Sequence, residues 1–186
     1  MIPRVTATVN LSAVQHNLAQ VRRLAPHSRV MAAVKADAYG HGAVPVSRAL
    51  DAAGVDVLAV ACMEEAQVLL EAHVRAPVAL LEGVISADEA ALAAYEGLQV
   101  VVHDFWQVEL LEAMPAESNI AVWFKVDSGM HRLGFPLDAI PRLREVLKRH
   151  PFWRFQGWIT HLARADETDS PATRTQIAAF DAALAG

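Results

Sequence analysis

The sequence of 186 residues is long enough for one domain with a substantial core, or for part of a larger protein. Its net charge of −5 and the lack of a Lys/Arg-rich stripe argue against nucleic-acid binding, and its single cysteine, Cys62, excludes an internal disulfide and a multi-cysteine metal site. Since there is neither a signal-peptide pattern nor an apolar run of the roughly 20 residues that span a bilayer, we expect a cytoplasmic protein with no membrane partner.

Short aliphatic runs alternate with longer amphipathic runs along the chain, and aromatic residues make up only 6%, so we expect an aliphatic, alanine-rich core. The predicted strands cover residues 5–11, 29–35, 55–61, 77–83, 98–104, 119–127 and 154–162. The predicted helices follow Ser12 and then cover residues 43–53, 62–74, 86–96, 105–114, 137–149 and 169–184.

Two helix starts carry local signals. Ser12 is placed as the N-cap of the first helix, because the apolar residues of the following segment recur every three or four positions. Ser86 followed by Glu89 has the spacing of a capping box. In this motif, the side chain of each of the two residues accepts the backbone N–H of the other. Both patterns predict helices directly after a strand or a turn.

Strands that alternate with helices predict βαβ units and a parallel sheet. An open doubly wound sheet and a (β/α)8 TIM-type barrel are both compatible with this alternation. Six βα units follow the first strand, so a barrel would be incomplete by about two units, and the last helix has no strand after it. We therefore interpret the sequence as the front part of a longer protein.

Side chains that can take part in catalysis lie at the ends of the predicted strands: Lys35 at the end of the second, Lys125 and Asp127 at the end of the sixth, and His161 at the end of the seventh. Reacting groups of α/β folds gather at the carboxyl ends of strands. A partly desolvated lysine amine is a nucleophile for carbonyl carbon, as in an aldolase-like lysine or a lysine that holds pyridoxal phosphate. No spacing of ligands suggests a metal site, and no phosphate-binding glycine loop is present.

Three segments resemble motifs of the alanine racemase family. The segment AAVKADAYGHG (32–42) is similar to the lysine motif of that family, with Asp37 where asparagine is usual. The segments FKVDSGMHRLGF (124–135) and WITHLARADE (158–167) resemble two further motifs, in the family's order. The resemblance covers nearly the whole chain and implies a pyridoxal 5'-phosphate enzyme on a (β/α)8 barrel.

The resemblance implies a role for each matching residue. Lys35 would carry pyridoxal phosphate as a Schiff base and would exchange a proton on one face of the substrate α-carbon. Tyr39 would bind the cofactor phosphate, and His161 would stack on the pyridine ring. Arg132 would bind the ring's phenolic oxygen and the substrate carboxylate, with support from Lys125, whose counterpart is carbamylated in several family members.

The resemblance also implies a wider context. Residues 1–11 would form a strand that pairs with a C-terminal β-domain outside this sequence, and residues 12–186 would form the partial barrel. The family interconverts L- and D-alanine for peptidoglycan synthesis as a homodimer, with a second base, a tyrosine from the partner's C-terminal domain. We therefore expect the 186-residue chain to be nearly inactive alone. A racemase for serine or several amino acids, and a non-catalytic pyridoxal-phosphate barrel, remain alternatives.

Overall fold

Helices and parallel strands alternate through residues 5–185, the part of the chain that this computed structural model describes. The chain divides into two units at the peptide bond between Ala79 and Leu80. The first unit contains α1 (Leu11–Leu24), β1 (Met31–Ala33), α2 (Lys35–Gly40), α3 (Ala43–Ala52), β2 (Val57–Val60), α4 (Met63–Glu71) and most of β3 (Val78–Leu80).

The strands of the first unit are hydrogen-bonded in chain order, β1-β2-β3. β1 and β2 are parallel, with Met31 opposite Val57 and Ala33 opposite Ala59. All four residues of β2 are buried, which is typical of a parallel strand that is covered on both faces. Helix α4 covers this strand with aliphatic side chains, and Leu69 is fully buried. The core of this unit is aliphatic, as the composition predicts.

The second unit has the same alternation. It contains α5 (Ala87–Tyr95), β4 (Gln99–Val102), α6 (Phe105–Glu112), β5 (Ala121–Lys125), a 3-10 turn (Leu137–Ala139), α7 (Ile140–Arg149), β6 (Arg154–Ile159) and α8 (Ala172–Ala185). Its strands are again parallel and in chain order, β4-β5-β6. A register shift between Val122 and Trp123 marks a bulge in the β5–β6 pair.

Aromatic residues form part of the core of the second unit. Phe124 is fully buried, and its ring centroid lies 6.0 Å from that of Phe135 and 5.6 Å from that of Trp158. Phe135 in turn makes an edge contact with Phe105 at 4.8 Å. Most buried residues of this unit are nevertheless aliphatic, as expected, and the aromatic residues add a local cluster to that core.

The predicted helices and the six predicted βα strands are confirmed, with shorter strands than the sequence suggested. The N-cap of α1 is Asn10 rather than Ser12: the Asn10 side chain accepts the Ala13 N–H at 3.2 Å, and the Ser12 hydroxyl donates to Asn10 Oδ1 at 2.7 Å. The structure assigns no strand to residues 5–10, and residues 1–4 of the predicted strand 1–11 lie outside the described residues. Pairing of that strand with another domain stays a prediction.

Among residues 5–185, no helix combines the length and the apolar character that crossing a membrane requires.

Candidate active site

Lys35 lies directly beyond the paired part of β1. The last β1–β2 hydrogen bond runs from the Val34 N–H to the Ala59 oxygen at 2.8 Å, and Val34 is only 1% exposed. Lys35 itself is half-buried. The strand therefore ends two residues before the lysine, at Ala33, and not at residue 35 as predicted. Lys35 thus follows the buried Val34, while its own long side chain is partly exposed to solvent.

The segment after Lys35 forms one turn of left-handed helix. Ala36, Asp37, Ala38 and Tyr39 have φ angles of 51°, 54°, 52° and 56°. This conformation costs roughly 1–2 kcal/mol for each residue that has a Cβ, so other contacts must stabilise the turn. Two backbone hydrogen bonds of 2.9 Å close it, from the Ala38 N–H to the Val34 oxygen and from the Gly42 N–H to the Asp37 oxygen.

Two carboxylates fix the ends of this turn. Glu65 on α4 accepts the Ala36 N–H at 2.8 Å with one oxygen and the Ala61 N–H at 2.7 Å with the other. Asp37 accepts the Ala43 N–H at 2.6 Å, at the N-terminus of α3, where a negative charge is favourable. The unusual aspartate of the lysine motif thus joins the turn to the next helix, and Glu65 joins it to the loop after β2.

Tyr39 and His41 belong to the same segment. Tyr39 is 60% exposed, so its hydroxyl is accessible to a ligand. His41 Nδ1 lies 2.9 Å from the Ala38 oxygen and 3.1 Å from the Tyr39 oxygen, positions suited to an Nδ1–H donor. These distances indicate that His41 stabilises the turn.

In the second unit, the loop after β5 is organised around Asp127. Its carboxylate accepts the backbone N–H groups of Gly129 and Met130 at 2.9 Å and that of His131 at 3.0 Å. Burial by itself raises the pKa of Asp127, but the hydrogen bonds from His131, Gly129 and Met130 outweigh it and hold the pKa below its usual range. The loop that carries Arg132 is therefore anchored by an ionised carboxylate.

The base of this loop is closed by backbone pairing. The Phe135 N–H donates to the Lys125 oxygen at 2.9 Å, and the Asp127 N–H donates to the Phe135 oxygen at 2.8 Å. Gly134 has a φ of 131°, and a Cβ on it would lie 2.8 Å from the Asp127 nitrogen, so only glycine fits here. The exposed Arg132 side chain is presented from a loop whose two ends are fixed.

Lys125 is half-buried at the end of β5, as predicted, and it lies near His103, the residue after β4. Burial lowers the pKa of His103, and the positive charge of Lys125 lowers it further, whereas the hydrogen bond to the Glu82 oxygen opposes the shift. Sequence reasoning missed His103. The available signal was its position at the carboxyl end of a predicted strand, the criterion that selected the other site residues.

His161 is exposed two residues beyond the end of β6. Its loop is joined to the loop after β5 by a hydrogen bond of 2.9 Å between the hydroxyls of Ser128 and Thr160. The structure thus brings Arg132 and His161 onto two linked loops of the second unit, while Lys35 and Tyr39 share one turn of the first unit. The role predicted for each of these residues stays a prediction.

Comparison with known proteins defines the class of the fold and then the family. The sequence pattern of the family described as "Alanine racemase, N-terminal domain" matches residues 9–186. The chain is 43% identical to alanine racemase from Acidithiobacillus ferrooxidans and 46% identical to the catabolic alanine racemase from Pseudomonas putida, in each case over 97% of this chain and 50% of the relative.

Solved structures of alanine racemases support the same family assignment. The crystal structure of biosynthetic alanine racemase from Pseudomonas aeruginosa superimposes with a TM-score of 0.88 at 42% identity, over 95% of this chain and 49% of the other. The fold is therefore the incomplete (β/α)8 barrel predicted from the sequence, and not an open doubly wound sheet. The chain belongs to the alanine racemase family, in its N-terminal domain, and spans about half the length of the relatives it matches.

Proposed function

We propose that this chain provides the lysine-bearing part of an enzyme that interconverts L-alanine and D-alanine with pyridoxal 5'-phosphate. The observation that carries the proposal is the position of Lys35, half-buried beyond the end of β1, directly after the buried Val34, and followed by a strained turn with its own carboxylate anchors. Strained backbone that is held by surrounding contacts clusters at active sites and ligand-binding segments, which supports a functional position for Lys35. The membership of the family supplies the reaction class.

The residues fit the cofactor. Lys35 would hold it covalently through its Nζ, and the accessible hydroxyl of Tyr39 would donate to its phosphate. Arg132 and His161 are both exposed on anchored loops, where a guanidinium would donate to the phenolic oxygen and an imidazole face would stack on the ring. Bound pyridoxal phosphate acts as an electron sink that makes the α-proton of an amino acid acidic.

Two side chains of this chain would carry out the proton transfer and the positioning of the substrate. Lys35 Nζ would take up or return the proton on one face of the α-carbon, and the Arg132 guanidinium would orient the substrate carboxylate. Racemisation requires a second group on the opposite face, which we propose comes from a partner subunit in a homodimer. The product would supply D-alanine for peptidoglycan in the cytoplasm.

We further propose that Lys125 is carbamylated. This half-buried side chain lies near His103, whose pKa is already lowered. Carbamylation replaces an ammonium by an anion, and an anion would pair with Arg132 and align its guanidinium. Carbon NMR of the folded protein in isotope-labelled bicarbonate would reveal the carbamate carbon without digestion, and Lys125→Ala should lack its signal. Absence of the signal in the wild type, or its persistence in Lys125→Ala, would contradict this part of the proposal.

The central test is chemical labelling of Lys35. The intact gene product is incubated with pyridoxal phosphate, reduced with borohydride and digested, and we expect the pyridoxyl group on Lys35. Lys35→Ala should lose the visible absorbance of the bound cofactor, whereas Lys148→Ala, at an exposed lysine on α7, should keep it. Labelling of another lysine, or no labelling, would overturn the cofactor assignment.

Racemisation of L-alanine and L-serine by the same preparation then separates the candidate activities. Alanine turnover far above serine turnover supports the proposal. Comparable turnover of both would indicate a broad-specificity racemase, and cofactor binding without turnover would indicate a non-catalytic barrel. The 186-residue chain is assayed in parallel, and we expect it to be nearly inactive because Lys35 serves only one face of the substrate.

A further inference from the structure

The C-terminal helix α8 presents one polar side chain to the interior of the second unit. Gln176 is 4% exposed, and it is the only buried residue among those of α8 that the structure describes. An amphipathic helix usually buries aliphatic side chains. A buried amide is costly unless both its oxygen and its nitrogen have hydrogen-bond partners, so the contacts of Gln176 require an explanation.

Both ends of the amide bind the backbone of the loop after β6. The Ala163 N–H donates to Gln176 Oε1 at 2.9 Å, and Gln176 Nε2 donates to the His161 carbonyl oxygen at 3.0 Å. The amide therefore holds the two peptide groups that flank Leu162 from one side. These two hydrogen bonds therefore fix the backbone of His161, from which its side chain projects.

The same side chain reaches the loop after β5. Gln176 Nε2 lies 3.5 Å from Ser128 Oγ, which is itself 2.9 Å from Thr160 Oγ1. A Cβ on Gly129 would lie 3.2 Å from Gln176 Cγ, so the backbone of this loop packs closely on the glutamine stem. One buried side chain thus contacts the loop that carries Arg132 and the loop that carries His161.

We propose that Gln176 is a positioning residue that fixes the His161 backbone and aligns it with the Ser128 end of the Arg132 loop. The inference rests on the proposed function, because His161 and Arg132 matter only if they contact the cofactor. Gln176 itself would touch neither cofactor nor substrate. Removing its amide would free the carbonyl of His161 and the N–H of Ala163, and the imidazole would then lose its fixed orientation.

The first test uses the apo protein. Gln176→Met keeps the shape of the side chain and removes the amide, and Gln107→Met is the matched control. Gln107 is a fully buried glutamine on α6 whose amide also bonds backbone groups of loops. It accepts the His103 N–H at 2.9 Å and donates to the Glu82 oxygen at 2.8 Å. By hydrogen exchange, residues 160–165 should exchange about tenfold faster in Gln176→Met only.

The second test measures cofactor binding by the intact gene product. We expect Gln176→Met to weaken the affinity for pyridoxal phosphate and to alter the visible circular dichroism of the bound cofactor, which reports the surroundings of its ring. Gln99→Met should change neither by a comparable amount, because the Gln99 amide lies at the start of β4, away from the loops after the strands, where it accepts the Trp123 ring N–H at 2.7 Å. Equal effects of both variants would reduce the role of Gln176 to general stability, and unchanged exchange in Gln176→Met would overturn the proposal.

Gln176→Glu tests the two hydrogen bonds of the amide separately, and it replaces the methionine variant if that variant folds poorly. It keeps an acceptor for the Ala163 N–H and lacks a donor for the His161 carbonyl. We expect slow exchange at Ala163 together with weakened cofactor binding. Cofactor binding as strong as in the wild type would overturn the proposal. If the wild type itself binds no pyridoxal phosphate, the proposed function fails, whereas the exchange experiment still decides whether Gln176 orders the His161 loop.

Discussion

Replacing Glu65 by glutamine tests whether the turn after Lys35 depends on its carboxylate anchor. In the wild type, each oxygen of Glu65 accepts one backbone N–H, from Ala36 at 2.8 Å and from Ala61 at 2.7 Å. Glutamine has one oxygen and one NH2 group, so it can accept only one of these N–H groups. The other N–H would face a donor and lose its partner.

The magnitude follows from the two hydrogen bonds. A hydrogen bond to a charged group contributes about 1.5–3 kcal/mol and a neutral one about 0.5–1.5 kcal/mol. Glu65→Gln removes one charged bond and converts the other to a neutral bond, so we expect a loss of about 2.5–4.5 kcal/mol in the free energy of unfolding. The left-handed turn itself costs roughly 4–8 kcal/mol over its four residues, so it should loosen first when an anchor is lost.

Urea unfolding and hydrogen exchange of residues 34–40 measure the two effects. The matched control is Glu71→Gln on the same helix, at an exposed glutamate in its last turn, where the change should stay within about 0.5 kcal/mol. Faster exchange at Ala36 in Glu65→Gln alone supports the reasoning. Equal stability losses in the two variants, or unchanged exchange at Ala36, would show that the turn is stabilised by other contacts.

Two further predictions concern the loop of the second unit. Because folding lowers the pKa of Asp127, the carboxylate contributes its full stabilisation above the unfolded pKa of about 3.9, and this contribution is lost as the pH falls through the folded pKa. Urea unfolding from about pH 6 to about pH 3 should therefore show that the free energy of unfolding depends less on pH in Asp127→Asn than in the wild type. Gly134→Ala places a Cβ 2.8 Å from the Asp127 nitrogen and should lower the free energy of unfolding by more than about 2 kcal/mol, as measured by thermal unfolding. In the control Gly97→Ala, the Cβ meets no atom within 4 Å, and we expect a loss of about 1 kcal/mol. Equal losses in the two variants would contradict the steric argument.

The sequence alone determines the order of strands and helices because that order depends on local patterns. Buried parallel strands appear as continuous aliphatic runs, and helices appear as apolar residues three or four positions apart. The capping pair Ser86 and Glu89 is one such pattern: the Ser86 hydroxyl accepts the Glu89 N–H at 3.2 Å. The Glu89 carboxylate accepts the N–H of Ile85 at 3.0 Å, one residue before the cap. The helix start is confirmed, and its second hydrogen bond is shifted by one residue.

Local patterns fail where two neighbouring residues compete. Asn10 and Ser12 are both good N-cap residues, and the sequence does not rank them. Asn10 takes an extended conformation, with φ −89° and ψ 97°, and its side chain accepts the Ala13 N–H, so it becomes the cap. Ser12 then lies in the first turn and supports Asn10 through its hydroxyl.

The lysine motif shows what only the tertiary structure decides. The sequence identifies Lys35 through the aliphatic run before it and the motif around it. It does not reveal that four residues with Cβ atoms adopt left-handed angles, because only Asp37 among them belongs to a residue type that visits these angles with any frequency. The Ala36 N–H of this turn donates to the carboxylate of Glu65, which is 29 positions away in the chain. Gln176 likewise contacts Ser128 across 48 positions. Short-range periodicity carries no information on such contacts, because they form only when distant segments fold against each other.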